Sequence, residues 1–328
     1  MESQGKTTLK SMYSQWNLLP LAYLGVVRAR GRDVVAFLQG QLSADLATLT
    51  REHSLLAGCH NPQGRVLALM RLLQGEPGEV LAVLPRELVG PIVGRLKGFV
   101  LRSKVELTDE SAAWRIEGLI GPGAGAAGPA PACATQLPAT AGAVAHLGSA
   151  RLVRIDDDPA RWLSVSPTAA PVSERPAGLA DCASADSSLW RRLAVRRGQP
   201  EVYAATSGEF VAQMLNLDVL GAIAFDKGCY TGQEIIARAH YRGKIKRRLQ
   251  RFLTAAAARL NPGDDGELED GHPFKVVDAA QRADGRCEFL AVTAVETASA
   301  QTGARAASPA GETPLKAQML GLPYSLPD

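Results

Sequence analysis

The sequence predicts an α+β protein whose C-terminal end is built of strands. Two observations carry that reading. Between Arg65 and Ile120, two strand patterns, one helical pattern and two more strand patterns follow one another. From Arg248 onward, strand patterns dominate. At 328 residues the chain is long enough for two or three domains with cores of their own.

The elements follow in order. Leu24 to Ala29 reads as a short strand, and Gly31 and Asp33 introduce a helical pattern at Val34, Val35, Leu38, Leu42 and Leu46. Arg65 to Leu73 and Glu79 to Leu84 read as buried strands. Leu88, Ile92, Val93 and Leu96 predict a helix between Arg86 and Phe99, with Pro91 near its start. Ser103 to Leu107 and Ala113 to Ile120 alternate as strands do. Together these predict a small α/β sandwich near residues 55–165. Gly121 to Gly142, rich in Ala, Gly and Pro, reads as a loose surface segment. Arg151 to Pro167 reads as a hairpin turning at Asp156-Asp157-Asp158-Pro159. A low-complexity stretch, Thr168 to Ala185, precedes a helix from about Ser187 to Arg197, stopped by Gly198 and Pro200. Asp284-Gly285 reads as the turn between strands His272–Val277 and Arg286–Val295. The region 248–328 is expected to be a β-barrel, a small domain of about 80 residues.

Composition removes several function classes. A net charge of +3 is too mild to imply nucleic-acid binding without a local patch. No apolar run reaches membrane-spanning length, and Met1 to Lys10 lack the apolar segment of a signal peptide, so a cytoplasmic protein with no membrane partner is expected. The cysteines are Cys59, Cys133, Cys182, Cys229 and Cys287, with no Cys-x-x-Cys spacing. That pattern argues against a disulfide framework, a zinc site or a resident iron–sulfur cluster, so no metal site is expected.

The densest chemistry lies in Lys227-Gly228-Cys229-Tyr230-Thr231-Gly232-Gln233-Glu234. Thr231 and Glu234 have capping-box spacing, and Ile235, Ile236 and Ala239 follow at helical spacing. Cys229 is then expected two residues before a helix N-cap, beside Lys227. A helix start and an ammonium both favour thiolate over thiol. The glycines permit backbone angles that a β-carbon would block.

This octet, with Arg238 four residues on, resembles the signature of the YgfZ-type folate-binding proteins, relatives of the glycine-cleavage aminomethyltransferase. Phe37-Leu38-Gln39-Gly40-Gln41, Asn61-Pro62-Gln63-Gly64-Arg65, Asn216-Leu217-Asp218 and Leu322-Pro323-Tyr324 resemble further motifs of that family, so the likeness covers nearly the whole chain. It implies an aminomethyltransferase-like fold of three lobes around a central cavity. Residues 1–247 would form the folate-binding region, with a discontinuous N-terminal lobe. It implies tetrahydrofolate or a derivative as cofactor. It also implies a link to iron–sulfur protein maintenance and, through cluster-dependent enzymes, to tRNA modification. The partners implied are iron–sulfur client or assembly proteins.

Each candidate residue has a competing structural reading. Cys229 is the expected reactive thiol; the alternative is a small buried residue. Lys227 and Arg238 are expected to face an anionic ligand tail, with Gly228, Tyr230 and Gln233 beside them as folate contacts. The alternative leaves the cations in water, with a Glu234–Arg238 intrahelical ion pair. Trp190 is the aromatic candidate for stacking on a pterin; with Leu189 and Leu193 on the same helix, core packing is the alternative. Arg196 departs from the pattern: relatives place a glutamate there, and a guanidinium has only donors. The tract Arg238, Arg242, Lys244, Lys246, Arg247, Arg248 and Arg251 reads as a solvated helix end, or as an RNA phosphate contact. Tyr241 is its one interleaved aromatic. Three functions compete: a folate-binding accessory protein for iron–sulfur proteins, a tetrahydrofolate-dependent aminomethyltransferase, and a direct tRNA-binding module.

Overall fold

The computed structural model describes residues 15–123, 129–243, 245–295 and 314–327. Sixteen strands and four α-helices are described. The strands are β1 (Asn17–Pro20), β2 (Leu24–Arg30), β3 (Leu55–His60), β4 (Val66–Gln74), β5 (Glu79–Pro85), β6 (Glu106–Asp109), β7 (Trp114–Ile120) and β8 (Val144–Leu147), followed by β9 (Ala150–Asp157), β10 (Ala160–Pro167), β11 (Ala183–Ser184), β12 (Arg247–Ala257), β13 (Asp265–Glu267), β14 (Pro273–Gln281), β15 (Arg286–Ala294) and β16 (Ala317–Leu320). The helices are α1 (Val34–Gln39), α2 (Arg86–Lys97), α3 (Ser188–Arg196) and α4 (Gln233–Arg242). They build three sheets, ordered β11-β1-β7-β10-β9-β8, β3-β4-β5-β2-β6 and β13-β14-β15-β12-β16.

The chain forms two compact units. One runs to Ala57 and resumes over Met70–Trp190; the other takes Gly58–Leu69 and continues from Arg191. The second unit therefore includes the tip of the β3–β4 hairpin. That tip is the Asn61–Arg65 turn, closed by Gly64 N–H donating to the Asn61 carbonyl at 2.9 Å and by Arg65 N–H donating to Asn61 Oδ1 at 2.9 Å.

In the first unit, β5 is buried along its whole length, which explains its unbroken apolar reading. Helix α2 covers this sheet's strands with Leu88, Val89, Ile92, Val93 and Leu96, and carries Arg95 and Lys97 in its last turn, where cations complement the helix dipole. The expected small α/β sandwich is divided between sheets: β4, β5 and β6 pair with β2 and β3, whereas β7 pairs with β1 and β10. Strand β7 joins the other sheet through seven antiparallel residue pairs with β10 and four with β1, which precedes all of them. The Arg151–Pro167 hairpin is present as β9–β10.

Two further expectations are corrected. The apolar pattern of Val34 to Leu46 does not continue as one helix. It stops at Gln39, whose Nε2 donates to Asp45 Oδ1 at 2.8 Å and whose Oε1 accepts from the Leu46 N–H at 2.7 Å. Those bonds fold the chain back into a 3-10 turn at Leu46–Thr48. The segment Gly121–Gly142 is not loose where it is described. Cys133 packs with Leu119, Leu152, Trp162 and Leu179, and Trp162 Nε1 donates to the Pro138 carbonyl at 2.9 Å. Residues 124–128 of that segment lie outside the described residues.

In the second unit, the C-terminal sheet packs Phe252, Phe274 and Phe289 in a common core, with ring centroids 5.3 and 5.7 Å apart. The strand pairing is an open order. Among the described residues, the outer strands β13 and β16 approach through the single bridge Leu268–Leu315. The described pairing is therefore that of a five-stranded sheet, and it does not show the closure that the expected barrel requires.

Candidate functional site

Helix α4 determines how the octet is presented. Its N-cap is Gly232, with φ 83°, and no side chain caps it. This corrects the expected Thr231–Glu234 capping box: the helix begins one residue later. The reason is a close fit to the hairpin tip. A β-carbon on Gly232 would stand 2.5 Å from the Asn61 carbonyl oxygen, and Gly64 lies against Ile235 on the same contact. Gln233 takes over the work expected of Glu234, its Oε1 accepting from the Tyr230 N–H at 3.3 Å. Gln213 Nε2 anchors the helix from below by donating to the Ile236 carbonyl at 2.7 Å.

Within this frame the octet divides sharply by exposure. Tyr230 is 7% exposed, and burial pushes its phenol up to about 12. Its ring lies 6.2 Å from the His60 ring, and the Lys227 ammonium stands 5.0 Å from its centroid. Gly228 and Cys229 are exposed. All five cysteines are free thiols, and Cys229 is the exposed one. Cys59, the nearest rival by sequence, is buried, as are Cys133 and Cys287. Burial raises the thiols of Cys133 and Cys287, and pushes Cys182 up to about 11.

His60 was not singled out by the sequence. It is fully buried behind Tyr230, and burial pushes its imidazole down to about 4, partly offset by a hydrogen bond with the Gly64 backbone. Its place next to Cys59 and the Asn61 turn was the only available signal.

Among the described residues, no ion pair joins Glu234 to Arg238, and both side chains are exposed. The basic tract separates into two kinds of residue. Arg248 is buried, forks onto Asp218 at 3.0 and 2.9 Å, and also donates to the Gln213 carbonyl. Arg251 faces Glu288 at 3.6 Å and donates to the Arg196 carbonyl. Glu288 is itself raised, by burial first, against the pull of Arg251 and Arg196. Arg238, Arg242, Lys246 and Arg247 are exposed, and Lys244 lies outside the described residues. His240 does not face empty solvent: its ring stacks on Phe225, centroids 3.8 Å apart, with Tyr241 edge-on to both.

The Asn216 and Tyr324 motifs are structural locks of the second unit. Asn216 sits at φ 57° and donates to the Leu249 carbonyl at 3.0 Å. The Tyr324 hydroxyl donates to the Gly198 carbonyl at 2.7 Å. Gly198, at φ 63°, ends α3 with Gln199 N–H donating to the Ala194 carbonyl, a Schellman closure.

Trp190 belongs to the first unit and the octet to the second. Trp190 is 6% exposed. Its ring lies so close to Gly118 that a β-carbon there would stand 2.4 Å from Cε3, and the Arg161 guanidinium lies 4.7 Å from its ring centroid. Arg161, fully buried, also donates to the Trp190 carbonyl and pairs with Asp156. This is the packing of a core tryptophan.

Comparison with known proteins places this arrangement in a class. The fold is that of an aminomethyltransferase. The crystal structure of glycine cleavage system aminomethyltransferase T from Bartonella henselae superposes with a TM-score of 0.66 at 13% identity, over 87% of this chain and 81% of that one. No family model matches. The sequence is 34% identical over 284 residues to tRNA-modifying protein YgfZ of Yersinia pseudotuberculosis serotype IB (strain PB1/+), covering 84% of this chain and 83% of that protein. It is also 34% identical over 266 residues to tRNA-modifying protein YgfZ of Escherichia coli O157:H7 (strain EC4115 / EHEC), covering 78% of each. The chain belongs to the YgfZ family. No helix among the described residues is long and apolar enough to cross a membrane.

Proposed function

We propose that this chain is a folate-binding accessory protein that uses Cys229 in the assembly or repair of iron–sulfur proteins, and through cluster-dependent enzymes supports tRNA modification. One observation carries the reading: Cys229 is the exposed thiol among five, held in a turn whose backbone is fixed by Gly232 and the hairpin tip. A thiol kept open by a built turn, while Cys59, Cys133 and Cys287 are buried, has the access that transfer or adduct chemistry requires. Cytoplasmic residence and iron–sulfur client proteins belong to the same proposal. So does the division into a folate-binding region, 1–247, of lobes around a cavity, and a C-terminal barrel-like region, 248–328.

The residues fit a reduced folate unevenly. Exposed Arg238 and half-buried Lys227 suit its carboxylate tail, for which a cation is the natural partner. Gly228 and Gln233 complete the proposed contact; Tyr230, 7% exposed, enters it through the family resemblance alone. Trp190 enters through the family resemblance alone, because its ring is already packed. When bound, the folate would supply a one-carbon carrier; the chain's own residues bind and orient it.

The test is complementation. In cells lacking the protein, Cys229→Ser should accumulate as folded protein yet fail to restore iron–sulfur enzyme activity; full rescue by serine contradicts the proposal. Titration calorimetry with tetrahydrofolate should show binding that weakens about tenfold in Arg238→Ala, the loss of one charge-assisted contact. The aminomethyl-transferase reading draws on the shared fold. Turnover of an aminomethyl-loaded carrier protein with tetrahydrofolate would favour it over an accessory role.

A further inference from the structure

We infer that the C-terminal end of helix α4 is a binding platform for single-stranded RNA, separate from the Cys229 turn. The sequence offered Tyr241 as a lone aromatic among cations, too little for a stacking surface. The structure adds two more rings. Phe225 reaches α4 from the loop before the octet and stacks on His240 at 3.8 Å with an interplanar angle of 16°; Tyr241 stands edge-on to His240 at 4.7 Å and to Phe225 at 6.2 Å. The cluster lies at the surface: Tyr241 is 67% exposed, His240 is exposed and Phe225 half-buried. Tyr241, mostly exposed and set edge-on to both other rings, is the ring offered to a nucleobase.

Charge selects the partner. From Ile235 to Arg251 the chain contains no acidic residue. Two of the cations in that stretch are committed inside the fold, Arg248 to Asp218 and Arg251 to Glu288. Arg242 and Lys246 stay exposed, and among the described residues neither forms an ion pair, whereas exposed Arg247 lines a cleft with Glu209 and Asp265. Asp226, beside Phe225, and Glu234, two turns back along α4, are the nearby opposing charges in sequence. Cations favoured at a helix C-terminus would account for Arg242 alone. They do not account for an exposed three-ring cluster at the same place. Bases that stack together with phosphates that need cations describe an unpaired nucleic-acid strand, and a duplex would keep its base faces hidden.

The experiment is fluorescence anisotropy with the full chain and a labelled twelve-nucleotide oligouridine. Binding is expected, falling with salt at a log–log slope of about −1.4, the value for two phosphate contacts to a single strand. Tyr241→Ala should weaken it by about tenfold, the loss of one stacked base. Arg242→Ala with Lys246→Ala should weaken it and flatten the slope, while tetrahydrofolate binding and Cys229 alkylation stay unchanged. No binding, equal affinity for an RNA duplex, or an unchanged affinity in Tyr241→Ala overturns the inference. So does equal competition by polyglutamate, which would mark the surface as one for acidic proteins.

Discussion

The Cys229 turn and the Trp190 packing were both expected to meet a ligand, yet the chain builds them in opposite ways. At Trp190 the ring, the Arg161 guanidinium and the Asp156 carboxylate are all buried, and each satisfies another. At Cys229 the thiol is exposed, and what is buried is the support beneath it: Tyr230, His60 and the Gly232–Asn61 backbone contact. In the first region the distinctive side chain is part of the core. In the second the core holds a side chain away from itself. A residue's chemical type does not distinguish these cases; its neighbours do. Glycines flank Cys229, whereas Leu189 and Leu193 flank Trp190.

The largest effect that could break this comparison lies at Arg161. Arg161→Met removes the partner of a buried carboxylate and should cost about 3–5 kcal/mol of unfolding free energy in urea titrations. A loss below about 1 kcal/mol would show that the Trp190 region is not held by this pair.

His60 gives the next largest effect, and it acts through pH. Its folded imidazole sits at about 4, below the ordinary 6.5, so the folded state keeps it neutral while the unfolded chain binds a proton first. Its contribution is full above pH 6.5 and is lost as pH falls toward 4, about 3 kcal/mol in all. Wild type minus His60→Gln, compared at pH 7 and pH 4, isolates the term. A pH-independent difference would place the imidazole in contact with water.

Gly232→Ala forces an alanine to φ 83° against the Asn61 carbonyl. It should cost about 1–3 kcal/mol and slow complementation with it, because the turn that presents Cys229 must shift. Cys229→Ser should change stability by no more than about 0.5 kcal/mol, as an exposed substitution with near-equal volume. A larger loss would mean that the thiol packs after all, and the contrast between the two regions would collapse.

Much of this was legible in the sequence wherever structure is local. The α3 helix and its glycine stop, the β9–β10 hairpin and the Asp284-Gly285 turn follow from patterns within a few residues. What escaped depends on partners far along the chain. Helix α4 starts at Gly232 rather than Thr231 because of the Asn61–Gly64 turn. Helix α1 ends at Gln39 because that side chain finds Asp45 and Leu46. The Phe225–His240 stack joins a loop to a helix end, which periodicity cannot register. Strand β7 left its expected sandwich because it pairs with β10 and with β1, the latter read as no element at all.

The central claim is that the fold keeps one thiol, Cys229, open while it buries Cys59, Cys133 and Cys287 and partly covers Cys182. Site-resolved alkylation of the native protein with iodoacetamide, followed over time by peptide mass spectrometry, tests it directly. Cys229 should be modified first, Cys182 more slowly, and Cys59, Cys133 and Cys287 only in denaturant. Labelling of Cys59 as fast as Cys229 in the folded protein would contradict the account.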